Sequence, residues 1–169
     1  MLVPIPKRQI NIIGLHCSDS PNGRSVTPAD IDQWHQEPSK GFHRTDYWRH
    51  QFNTHLVAFG YQYMIDVDGT IYTGRHIDEI PAQAKGHNSN AVGICMIGKD
   101  RFTPPQWASL KTLVQDLQAK IKASAHGLNA KPFGHYQWPD SHKTCPNFDV
   151  PAWTKAGMTP DPAHVLEAK

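Results

Sequence analysis

The sequence predicts an α/β protein: a mixed central β-sheet flanked by helices. Three observations carry this. Short apolar runs at residues 10–15 and 91–98 read as buried strands. A strand over 61–67 turns at Asp68-Gly69 and returns over 70–73, which is a hairpin signal and adds an antiparallel pair. Segments with helical spacing alternate with these strands, and that alternation packs helices on a sheet.

The first strand delivers His16 at or just past its C-terminal end. Alternation puts His16 and Cys17 on opposite faces, so both cannot serve one ion, and Cys17 is expected inside. Thr27-Pro28-Ala29-Asp30 then opens a helix with an N-cap hydroxyl, proline at the first position and an acid three residues on. Ile31 and Trp34 are its expected apolar face, and it ends before Pro38. Residues 41–60 have aromatic residues, histidines and charges without a clear period; they read as a surface insertion with one irregular helix over 46–57. In the strand that follows, Tyr61, Tyr63, Ile65 and Val67 share one face, and Tyr61 at its start can reach a cleft. The polar loop 74–90 precedes the central strand, whose Cys95 is expected in the core.

Thr103-Pro104-Pro105-Gln106 repeats the capping pattern, and Trp107, Leu110, Leu113, Val114, Leu117 and Ile121 follow at helical spacing. A short strand is expected over 131–134 and a closing helix over 151–156. The expected organisation is one catalytic domain over 1–158 and a loose tail over 159–169, without internal repeats. That length suffices for a self-supporting core.

Net charge is +2, which disfavours nucleic acid as the main ligand. Cys17, Cys95 and Cys145 cannot all pair and none lies in a CxxC, so a disulfide framework is not expected. No apolar stretch is long enough to span a bilayer, and the N-terminus lacks a leader pattern. The expectation is a cytoplasmic protein, or one released without a cleaved leader, and a monomer with no membrane insertion.

The chemistry concentrates in residues 134–146, GHYQWPDSHKTCP, which hold His135 and Cys145 as candidate metal ligands and Lys143 as a nearby cation. With His16 they offer imidazole and thiolate donors, and three protein ligands with a fourth position left to water is the catalytic zinc pattern. There are eleven histidines, so spacing alone leaves the set open. His142 rivals His135; His35, His50, His55 and His164 sit in helical or tail contexts and read as bland. His87 is either a substrate contact or a solvated loop residue. Pro146 biases Cys145 toward extended backbone, and a cation and a metal would both lower the thiol's pKa.

In this order, LHCSDS, GYQYMIDVDGTIYTGR, AKGHNSNAVGICMIG, FTPPQWASLKTLV, the GH of 134–135 and KTCPNFDV resemble the zinc-dependent N-acetylmuramoyl-L-alanine amidases of the amidase type 2 and peptidoglycan-recognition-protein fold. The likeness runs from about residue 12 to 153 and is nearest to compact phage endolysins. It implies one zinc ion held by His16, His135 and Cys145, with Tyr61 and Lys143 as the catalytic tyrosine and lysine. It also implies peptidoglycan as partner, with Gln83, Lys85, His87 and Asn88 as substrate contacts, and lysis of a host cell from a phage or prophage. The related cytoplasmic recycling amidases have aspartate at position 145 and glutamate at position 61, and this chain has the endolysin pair. Where close relatives have histidine before AKG, it has Gln83, and its segment between Trp34 and Gly60 is longer than in the smallest members. Two other classes remain at this point: a peptidoglycan-binding module with idle chemistry, and a hydrolase with Cys145 or Cys17 as nucleophile and a histidine as base.

Overall fold

The computed structural model describes residues 3–167. Its sheet has five strands: β1 (Ile12–Cys17), β2 (Tyr63–Ile65), β3 (Ile71–Thr73), β4 (Ala91–Met96) and β5 (Lys131–Gly134). The order is β3-β2-β4-β1-β5, parallel throughout except for the β2–β3 hairpin. This is the mixed sheet expected. The hairpin closes through Gly69, whose N–H donates to Asp66 O and whose φ of 86° suits a residue without Cβ. The strand is shorter than 61–67, and both its faces are buried. Tyr63 and Ile65 join the larger core, whereas Tyr61 and Val67 pack with Met64 on the opposite side, so the expected single face does not hold.

The larger core lies between one sheet face and two helices, α3 (Pro104–Lys122) and α4 (Val150–Lys155). All six apolar residues read at helical spacing in α3 are buried, and Thr103 and Gln106 form the capping box. Cys17 and Cys95 are buried, as expected. On the opposite face, Ile31 of α1 (Pro28–His35) packs with Leu56, Phe59, Met64 and Ile97. Trp34 departs from its expected inward position and is 42 % exposed. The inward positions of α1 are Ile31, Asp32 and His35. Asp32 earns burial by accepting the backbone N–H groups of Val57, Ala58 and Phe59 at 2.7–2.9 Å.

The helix expected over 46–57 is only four residues, α2 (Asp46–Arg49). The cause lies in Arg44, whose guanidinium is fully buried. It pairs with Glu79 at 2.8 Å and donates to the carbonyl oxygens of Phe52, Asn53 and Leu56 at 2.8–2.9 Å. Those carbonyls are thereby satisfied outside a helical ladder, and Asn53 takes a positive φ of 45°. Of the tail expected over 159–169, residues 168–169 lie outside the described residues, and 164–166 pack against the domain. Phe102 bridges Val165, Leu166 N–H donates to Phe102 O at 2.9 Å, and Trp107 Nε1 donates to His164 O at 3.2 Å.

Candidate metal centre

β1 and β5 are parallel neighbours, and their register pairs Leu15 with Gly134. The next residues, His16 and His135, therefore emerge side by side at the carboxyl ends of two strands, where α/β sheets commonly place ligands. Residue alternation turns His16 away from the large core that holds Leu15 and Cys17. Cys145 reaches the pair because its segment is tied on both sides. Tyr136 N–H donates to Cys145 O at 3.1 Å, and Cys17 N–H donates to Cys145 Sγ at 3.1 Å.

One donor atom each from His16, His135 and Cys145 lies within 4.8 Å of the others. His16 Nδ1 stands 3.8 Å from Cys145 Sγ. Zinc bonds of about 2.1 Å to nitrogen and 2.3 Å to sulfur at tetrahedral angles set such a pair about 3.6 Å apart, so this donor set fits zinc. The ring electrostatics suit it as well. Burial first, then the His135 ring, push the His16 pKa down to about 3, which keeps the imidazole neutral. His135 is also lowered, by burial and by Lys143. Cys145 is pushed up, by the Cys17 thiol beside it and by burial. Its thiolate thus needs a cation to form, and metal binding of this kind releases a proton.

The three donors face a cleft of about 560 Å³ that also takes in Tyr61, Lys143 and His35. The Tyr61 ring lies 5.0 Å from His16 and 5.4 Å from His35, centroid to centroid, and burial raises its phenol well above the ordinary value. Lys40 and Lys99 join Lys143 on the cleft, with Asp19 as the acidic counterweight. His142 is not part of the three-donor group.

The four residues expected to touch substrate separate. Lys85 is exposed, and His87 is half-buried with Nε2 2.8 Å from Asp140 Oδ1; both line a smaller hollow beside His135. Asn88 spends its side-chain oxygen on the N–H groups of Gln83 and Ala84, both at 3.0 Å. Gln83 is buried, with Oε1 2.8 Å from His16 Nε2. Two residues near the donors escaped the sequence reading, His35 on the cleft and Trp138 in the hollow beside His135. His35, read as bland, accepts the Gly60 N–H on Nδ1 at 3.0 Å, and burial lowers it to about 4. Trp138 is buried against His16, His135 and His87, with centroids at 6.2, 5.7 and 5.8 Å, and forms an apolar wall to the donors. A wall of that kind has no local sequence signal, since it depends on three distant rings meeting one indole.

The chain is similar to several known proteins. The family model for N-acetylmuramoyl-L-alanine amidase matches residues 6–148. The endolysin of Enterobacteria phage T3 is 31 % identical over 156 residues, covering 88 % of this chain and 87 % of that protein. Among solved structures, the amidase LysC of Clostridium intestinale is 24 % identical with a TM-score of 0.64, over 90 % of this chain and 89 % of that one. Drosophila PGRP-LB is 23 % identical with a TM-score of 0.57, over 98 % and 92 % respectively, and shares the fold. The chain belongs to the N-acetylmuramoyl-L-alanine amidase family.

Proposed function

We propose that the protein is a zinc-dependent peptidoglycan amidase acting as an endolysin. Its reaction is hydrolysis of the amide between the lactyl group of N-acetylmuramic acid and L-alanine of the stem peptide. The observation that carries this reading is the His16/His135/Cys145 cluster, His16 buried and the other two half-buried, opening on a cleft in a chain of this family.

His16 through Nδ1, His135 and Cys145 through its sulfur would hold the ion. When bound, zinc polarises the carbonyl and lowers the pKa of water from about 15.7 toward neutrality. Tyr61 carries its proton at neutral pH, as an ordinary phenol does, and burial raises it further, so its O–H donates to the attacking water or the carbonyl oxygen. Lys143, close enough to depress His135, supplies positive charge to the oxygen that becomes anionic as water adds. The water oxygen bonds to the carbonyl carbon and the C–N bond breaks. The L-alanine nitrogen leaves with a proton as an amine, and the lactyl group becomes a carboxylic acid. Lys40 and Lys99 on the same cleft suit the carboxylates of a stem peptide. Lys85 and His87, in the hollow beside His135, extend this contact surface. No helix among the described residues is long and apolar enough to cross a membrane. In this reading the enzyme works as a monomer, with neither nucleic acid nor membrane as partner, and reaches the wall once the host membrane is breached.

Incubation with purified cell wall should free the amino group of L-alanine. Binding to the wall without new amino groups would support a recognition module instead. A second reading draws on the 3.8 Å separation of His16 Nδ1 and Cys145 Sγ, which also fits a cysteine nucleophile with a histidine base. Activity that survives chelation and is lost to a thiol alkylator would favour it over the metal enzyme.

A further inference from the structure

We infer that Gln83 is a positioning residue for the metal centre, accepting the Nε2 proton of His16 so that Nδ1 offers its lone pair to the ion. This rests on His16 being a metal ligand. Gln83 Oε1 lies 2.8 Å from His16 Nε2, while the other ring nitrogen is the one that faces Cys145 Sγ. An imidazole that binds through Nδ1 carries its proton on Nε2, and a buried N–H needs an acceptor. The opposite orientation of the amide would set its NH₂ against Nε2. The ring proton would then move to Nδ1 and point at the thiol, leaving no lone pair for an ion.

The fold makes room for this contact. Gly14 and Gly93 face each other across β1 and β4. A Cβ on Gly14 would stand 2.6 Å from Gln83 Oε1, and one on Gly93 would meet the same oxygen. The Gln83 backbone is braced from its own loop, its N–H donating to Asn88 Oδ1 at 3.0 Å. The amide nitrogen, by contrast, is buried with no partner among the described residues. Satisfaction of its own donors therefore does not explain where this side chain sits, whereas the contact to His16 does. Groups that orient a ligating histidine in this way typically change metal affinity ~10–100-fold when removed.

The test is the zinc dissociation constant of the full-length, metal-stripped protein, read by competition with a chromophoric chelator. The melting temperature of the metal-free protein is measured alongside. Gln83→Met keeps length and removes the acceptor, and should weaken zinc binding ~10–100-fold with a metal-free melting temperature close to that of the unaltered chain. Gln83→Glu restores an acceptor and should bind zinc at least as tightly as the unaltered chain. Unaltered affinity in Gln83→Met overturns the inference, and so does Gln83→Glu binding as weakly as Gln83→Met. If metal-free Gln83→Met does not fold, Gln83→Glu decides: retained affinity upholds the role and a tenfold loss overturns it. An unaltered protein that takes up no zinc would instead sink the metal reading itself.

Discussion

Lys143→Ala removes a charge from the cleft and none of the three donors. Its zinc content should equal that of the unaltered chain while turnover falls ~10²–10³-fold, the usual cost of losing one donor to a developing oxyanion. Full turnover by a fully loaded variant would remove Lys143 from the reaction. His16→Ala should lose zinc and activity together, and full zinc occupancy in it would exclude His16 from the centre. At this scale the candidate donors were legible because donor chemistry is a property of residue type, and the run from Gly134 to Pro146 set two of them beside a lysine. Spacing alone left His142 as a rival to His135, and the register brings His135 to His16: β5 ends at Gly134, next to the end of β1. Gln83 was legible as a departure from relatives but not as a partner of His16, because its place depends on two glycines from different strands.

Secondary structure was most legible where one segment carries its own start signal. Thr103 and Gln106 form both halves of the capping box of α3, so Thr103→Ala should lower stability by about 1 kcal/mol in denaturant unfolding. A change below a few tenths would mean that the cap is idle. Residues 41–60 were illegible for the opposite reason. Their conformation is dictated by Arg44 and Glu79, distant in sequence and buried together, rather than by any local period. Arg44→Met would leave Glu79 buried beside Arg75 alone, at 3.7 Å, and strand the carbonyls of Phe52 and Leu56, since Asn53 O keeps the Leu56 N–H. We expect about 3–5 kcal/mol of lost stability, the cost of breaking a buried pair from one side. Hydrogen exchange should rise first in residues 41–60, and unchanged exchange there would show that the segment holds itself. Trp34 was misassigned because helical spacing cannot tell which apolar residue a short helix leaves outside.

Across the whole molecule, two histidines of the cleft are held neutral by the fold. His16 sits at about 3 and His35 at about 4, against 6.5 for an ordinary imidazole, in both cases chiefly through burial. Below 6.5 the unfolded chain takes up protons that the folded chain refuses. The stability of the metal-free protein should therefore be full above about pH 6.5 and decline steadily toward pH 4 and 3. A melting temperature flat across that range would contradict the burial of these rings. Acid should also strip the metal, since the Cys145 thiolate gains a proton as it leaves. The central claim is that a cation held by His16, His135 and Cys145 makes this chain an amidase. Its most direct test is elemental zinc analysis joined to peptidoglycan cleavage before chelation, after chelation and after zinc is returned. The account predicts one zinc per chain, loss of L-alanine amino-group release with the metal, and recovery on its return. Full release from a zinc-free protein would contradict it.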